Sequence, residues 1–144
     1  MPSSAKACEV ILQASELRSD GAIIDLGSGW GTLLFALARK YPHRRIIGYE
    51  MSWLPYLYTW IYRALFRLHH VQLMRKNFLT ADLPDASVLI CYLHPAGMHA
   101  LRTKLGSSYK QTMLISNTFA LPEAVAEQTI QLVDLYNTPI YIYR

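Results

Sequence analysis

The chain is poor in cysteine: Cys8 and Cys91 are its only two. Both sit in apolar runs without metal-type spacing, which excludes a disulfide scaffold and a thiolate metal cluster and leaves buried, reduced thiols in a cytoplasmic protein. Charge is also sparse. Only 17% of residues are Asp, Glu, Lys or Arg, against 52% hydrophobic, so a disordered chain is excluded and a packed core is expected. Long apolar runs are missing too: no 18-residue stretch is apolar and uncharged, so no segment reads as a membrane span. The N-terminal "MPSSAKACEV" lacks the apolar core of a signal peptide. Repeats, low-complexity tracts and linkers are absent, and 144 residues suit a single domain, 1–144. The formal net charge of +4 comes from scattered basic residues rather than a stripe, so a nucleic-acid partner is not expected, while weak attraction to anionic lipid is compatible.

What is present alternates between two periods. Helical spacing runs from Ala5 to Leu17, with Ser3 or Ser4 as N-cap, and Ser19-Asp20-Gly21 ends it. Ala22 to Leu26 reads as a buried strand, Thr32 to Tyr41 as a helix stopped by Pro42, and Arg45 to Tyr49 as a second strand. Ser52 to His70 reads as a long helix, with Pro55 tolerated in its first turn. Strands follow at Val71 to Arg75, Ser87 to Leu93 and Thr112 to Phe119, with a helix from Ala96 to Leu105 between the last two. Gln128 to Tyr136 and Pro139 to Tyr143 read as a closing hairpin. Strands alternating with helices imply a three-layer α/β fold with a mostly parallel sheet.

The stretch "IIDLGSGWGTLLFALAR" (Ile23 to Arg39) carries the chemistry. In open α/β sheets ligands bind at the carboxyl ends of strands, where the strand order reverses. Gly27, Gly29 and Gly31 follow such an end and leave room for a ligand against bare backbone. The helix from Thr32 then offers its N-terminal N–H groups and dipole. A dinucleotide fingerprint needs glycine where this chain has Thr32, which disfavours a nicotinamide dehydrogenase. The spacing D-L-G-S-G-W-G resembles motif I of S-adenosylmethionine (AdoMet) methyltransferases. That resemblance implies the class I Rossmann-like sheet, strand order 3-2-1-4-5-7-6 with a C-terminal antiparallel hairpin, and AdoMet as cofactor. It places Asp25 by the ammonium of the cofactor and Gly27, Ser28, Gly29 and Gly31 along its amino-acid end. Glu50, ending the second strand 19 residues after Gly31, suits both ribose hydroxyls; a helix N-terminal charge is the plainer alternative. Met51 is expected on the adenine face and Asn77-Phe78 at the adenine edge, with a simple loop cap the alternative for Asn77.

The segments "PSSAKACEVILQASEL", "ICYLHPAGMHALRTKL" and "LISNTFALP" resemble one branch of the class I methyltransferases. That branch holds small protein-lysine methyltransferases related to those that modify the ATP synthase c subunit and the adenine nucleotide translocase. The resemblance implies a lysine in a protein as acceptor, with membrane-embedded proteins among the candidates, and no metal. It also implies that Tyr92, His94 and Pro95 line the transfer pocket. His94 departs from the leucine common in relatives, and an ordinary loop histidine is the alternative. Relatives commonly carry an apolar anchoring segment ahead of the position where this chain starts. Asn117 is expected near the substrate or in a structural hydrogen bond, and Ser3 and Ser4 as a lid or as helix caps. An RNA or small-molecule methyltransferase and a non-catalytic AdoMet-binding module stay open.

"WLPYLYTWIYRALF" (Trp53 to Phe66) holds six aromatics in 14 residues. One stripe is expected to pack on the sheet. Tyr56, Trp60 and Arg63 share one face; Trp53, Leu57, Ile61, Ala64 and Leu68 share another. The rest is either exposed tyrosine or a peripheral contact with lipid at the inner membrane surface, a partner or a membrane-embedded substrate.

Overall fold

The computed structural model describes residues 3–18, 20–106 and 111–144. Pro2, Ser19 and Lys110 therefore lie outside the described residues. In chain order the elements are α1 (Ala5–Ser15), β1 (Ile23–Leu26), α2 (Thr32–Lys40), β2 (Ile46–Tyr49), α3 (Trp53–Leu65) and β3 (Val71–Met74). After them come β4 (Val88–Cys91), α4 (Pro95–Leu105), β5 (Met113–Asn117), β6 (Gln128–Gln131) and β7 (Pro139–Tyr143). The strands form one sheet in the order β3-β2-β1-β4-β5-β7-β6. The first five are parallel, and β7 is antiparallel to both β5 and β6. This is the class I methyltransferase order that the motif resemblance implied.

The short strands β1, β2, β4 and β5 are buried throughout, as expected of parallel strands covered on both faces. Their side chains alternate between two cores. Ile23, Ile46, Val88 and Met113 pack with Leu34 and Leu37 of α2 and Ile11 of α1. Ile24, Ile47, Leu89 and Leu114 pack with Met98 and Leu101 of α4. Each such side chain contributes roughly 1.5–3 kcal/mol by leaving water. At the amino-terminal edge of the sheet, buried Arg44 ties three segments together. Its guanidinium donates to the carbonyls of Arg18, Asp20 and Gly21 and to the Ser87 hydroxyl.

Two elements, α3 and β6, end five residues earlier than their sequence patterns. α3 stops at Leu65 rather than His70, because Arg67 takes the left-handed conformation at φ 52° and turns the chain into β3. β6 stops at Gln131, because the Asp134 carboxylate gathers the N–H groups of Tyr136 and Thr138 and the Thr138 hydroxyl into a turn. Ser4 is the α1 N-cap, accepting from the Ala7 N–H at 3.2 Å. Both cysteines are buried and free. Among the described residues, no helix is long and apolar enough to cross a membrane.

Candidate active site

β1 lies between β2 and β4, so the chain leaves it to opposite sides and a crevice opens at its carboxyl end. A cavity of about 360 Å³ occupies that place. Asp25, Gly27, Ser28, Gly29 and Glu50 line it on one side, and Cys91, Tyr92, Asn117 and Ser3 on the other.

The glycine loop is shaped by the end of β2. The Tyr49 carbonyl accepts from the N–H groups of Gly27 and Ser28, at 2.9 and 2.8 Å. Glu50 Oε2 accepts from the Gly29 N–H at 2.8 Å, and Oε1 from the Ser52 N–H at 2.9 Å. Each carboxylate oxygen keeps a lone pair, so Glu50 can still accept from a ligand. Gly27 and Gly29 adopt φ 79° and 54°, and a Cβ on either would meet no atom within 4 Å. Their bare backbone therefore faces open space, a cradle that fits the amino-acid end of a cofactor. Gly31 differs. It also has positive φ, but a Cβ there would lie 2.5 Å from a Phe35 ring carbon and 2.9 Å from Thr59 Cγ2. Gly31 is required for the packing of α2 against α3, and it does not line the cavity.

Asp25 is buried, and it lines the cavity. Burial, with a smaller contribution from the Glu50 charge, pushes its pKa up to about 7. Cys91, also in the lining, is pushed up to about 12 by burial, so it is an inert thiol at neutral pH.

On the opposite wall Asn117 is fixed at both ends of its amide. Its Nδ2 donates to the Ser3 hydroxyl at 3.0 Å, and its Oδ1 accepts from the Thr118 hydroxyl at 3.0 Å. This bond closes the N-terminal segment over the cavity from 114 residues away. Tyr92, half-buried after β4, completes that wall.

Five other residues picked from the sequence stand outside the lining. His94 and Pro95 are exposed at the start of α4, where His94 is the N-cap residue and its ring lies 6.2 Å from that of Phe119. Met51 is exposed. Asn77 makes the loop cap that was its alternative, its Oδ1 accepting from the Leu79 N–H at 3.0 Å, and Phe78 packs against the α4-side core. Conversely, the lining includes Trp30, Leu33 and Pro55, which the sequence reading does not place there, together with Thr32 at the start of α2. Trp30 was findable, since it sits between two loop glycines. Pro55 was not, because only the tertiary approach of α3 brings it there. Among the described residues no cluster of His, Cys, Asp or Glu could hold a metal.

Residues 25–128 match the sequence model of the ANTKMT methyltransferase domain. The chain belongs to this family. It is an AdoMet-dependent methyltransferase with the class I fold. The methyltransferase is 22% identical to a protein-lysine N-methyltransferase of Saccharolobus islandicus (strain REY15A), over 99% of this chain and 91% of that protein. Among solved structures it is similar to an RNA methyltransferase from Salinibacter ruber in complex with S-adenosyl-L-homocysteine. That match has a TM-score of 0.85 at 22% identity and covers 99% and 92% of the two chains. It is also similar to a precorrin-6y C5,15-methyltransferase from Geobacter metallireducens GS-15, with a TM-score of 0.70 at 16% identity over 98% and 87%. At such identities these structures speak for the fold.

Proposed function

We propose that this methyltransferase transfers a methyl group to the ε-amino group of a lysine in a protein substrate. The observation that carries the proposal is the end-to-end match to the Saccharolobus islandicus protein-lysine N-methyltransferase. The cavity is compatible with it. Its acceptor wall of Tyr92, Asn117 and Ser3 is polar and uncharged, which suits an amine that must be neutral to act as a nucleophile.

When bound, AdoMet supplies an electrophilic methyl on a sulfonium, and the chain's residues do the positioning. In this reading ionised Asp25 faces the ammonium of the amino-acid end, and Gly27, Ser28 and Gly29 let that end lie against backbone. Glu50 accepts from the ribose hydroxyls with the lone pairs its backbone bonds leave free. Tyr92 orients the incoming amine through its hydroxyl. Entry into the cavity desolvates the lysine and lowers its pKa, favouring the neutral form. In this reading the proton goes to water.

The test is incubation of the purified chain with methyl-labelled AdoMet and a fractionated cell lysate. Label on protein, mapping to lysine in steps of about 14 Da per methyl, is expected. Label confined to RNA or small molecules would refute the assignment.

A further inference from the structure

α3 is inverted relative to an ordinary surface helix, which turns its apolar stripe to the core. Its sole buried residue is Thr59, and Pro55, Tyr62 and Arg63 beside it are partly covered. At about 100° per residue, Trp53, Leu54, Leu57, Trp60, Ile61 and Leu65 fall on one outward arc. All six are exposed, Leu65 by 75% and Leu54 by 67%. No charged residue lies within that arc.

Past the Glu50 carboxylate, which accepts from the Ser52 N–H at the start of the helix, the charge around α3 has one sign. From Met51 to Ala81 the chain has no Asp or Glu, while Arg63, Arg67, Arg75 and Lys76 flank the helix. Arg63 Nε donates to the Val71 carbonyl at one end of α3, and the Arg75 guanidinium lies 4.9 Å from the Trp53 ring at the other.

We propose that α3 lies flat in the surface of a bilayer containing anionic lipid, its outward arc at the headgroup/acyl boundary and its flanking cations at the headgroups. Tryptophan and tyrosine favour that boundary, and a cationic fringe around an apolar face complements a negative membrane. A second copy of the chain fits less well. A helix about 20 Å long and 10–12 Å across offers on the order of 350 Å² on its outer half, against the roughly 800 Å² per partner of a stable interface. Two copies would also bring their cations together. RNA fits less well because four of the six arc residues, Leu54, Leu57, Ile61 and Leu65, are aliphatic, and only Trp53 and Trp60 offer bases a ring to stack on.

Orientation follows from the loop. The Trp30 ring meets Tyr58 of α3 edge-on, with centroids 5.5 Å apart, and Trp30 and Pro55 both line the cavity. The cavity thus shares a wall with the membrane-bound helix. The proposal does not depend on the identity of the methyl acceptor.

Vesicle flotation tests it without any transfer assay, so failure here is distinct from failure of the lysine assignment. The chain should float with equimolar phosphatidylcholine and phosphatidylglycerol vesicles and not with phosphatidylcholine alone. Leu57→Glu/Ile61→Glu, both at exposed positions, should abolish flotation while leaving circular dichroism and the unfolding midpoint unchanged. Arg67→Glu/Lys76→Glu should weaken binding by at least about tenfold. The proposal is overturned if the chain stays in the pellet with the mixed vesicles or if Leu57→Glu/Ile61→Glu floats as wild type. It is equally overturned if that variant instead splits a dimer in sedimentation velocity or releases bound RNA.

Discussion

In the proposed reading, where Asp25 holds the ammonium of AdoMet, cofactor binding is a proton-coupled event. The Asp25 carboxyl is buried on the cavity wall, and that burial pushes its pKa up to about 7. A ligand ammonium requires the ionised form. If protonated Asp25 does not bind, about nine-tenths of the protein is competent at pH 8 and about one-tenth at pH 6. The dissociation constant for AdoMet should therefore rise about tenfold between those values. At pH 7, binding should release about half a proton. Calorimetry in phosphate and in Tris should then give different heats, because the two buffers take up that proton with different enthalpies. Asp25→Asn should bind weakly at every pH, with no buffer dependence. The free protein should show the opposite trend in stability. A carboxyl whose folded pKa lies above its unfolded value stabilises the fold fully below about pH 4 and loses that contribution as the pH climbs to 7, by roughly 4 kcal/mol at 1.36 kcal/mol per unit. An affinity that is flat from pH 6 to 8, with equal heats in both buffers, would refute the coupling.

The two kinds of loop glycine should separate in experiment. Gly31→Ala meets Phe35 and Thr59 and should cost about 2–4 kcal/mol in urea unfolding. Gly29→Ala should cost about 1 kcal/mol of backbone strain but weaken AdoMet binding at least tenfold by filling the cradle. Glu50→Ala should lower affinity at least tenfold by calorimetry and also destabilise the loop by about 1–2 kcal/mol, since it frees two backbone N–H groups. Tyr92→Phe should lower the transfer rate about tenfold or more while leaving AdoMet affinity unchanged. Arg44→Ala strands three carbonyls and should cost about 3 kcal/mol in thermal unfolding.

The glycine spacing, the acids at two strand ends and the closing hairpin were legible because each is a local pattern with few alternatives. The sheet order came with the family resemblance that the glycine spacing carries. What stayed hidden depends on three-dimensional neighbours. Gly31 looks like its two companions in the sequence, and only the approach of Phe35 and Thr59 separates it from them. The raised pKa of Asp25 comes from desolvation, which no spacing reports. Asn77 and His94 follow strand ends, and only the structure shows that Asn77 caps its loop and that His94 is exposed. In α3 nearly every residue is apolar, so periodicity could not decide which side turns inward. The face with Leu57 and Ile61, an obvious candidate for the core, points out, and the small polar Thr59 points in.

The bonds from Gly27, Ser28 and Gly29 to Tyr49 and Glu50 bear on how this motif could be moved or redesigned. The loop and the end of β2 are 21 residues apart in the chain and one component in space. A graft of residues 25–32 alone would carry the glycines but lose the acceptors that bend them, and three backbone N–H groups would collapse onto other partners. The transferable unit is two short segments and the pairing between their strands. A designer who wants the pocket must take its neighbour's last turn of backbone with it.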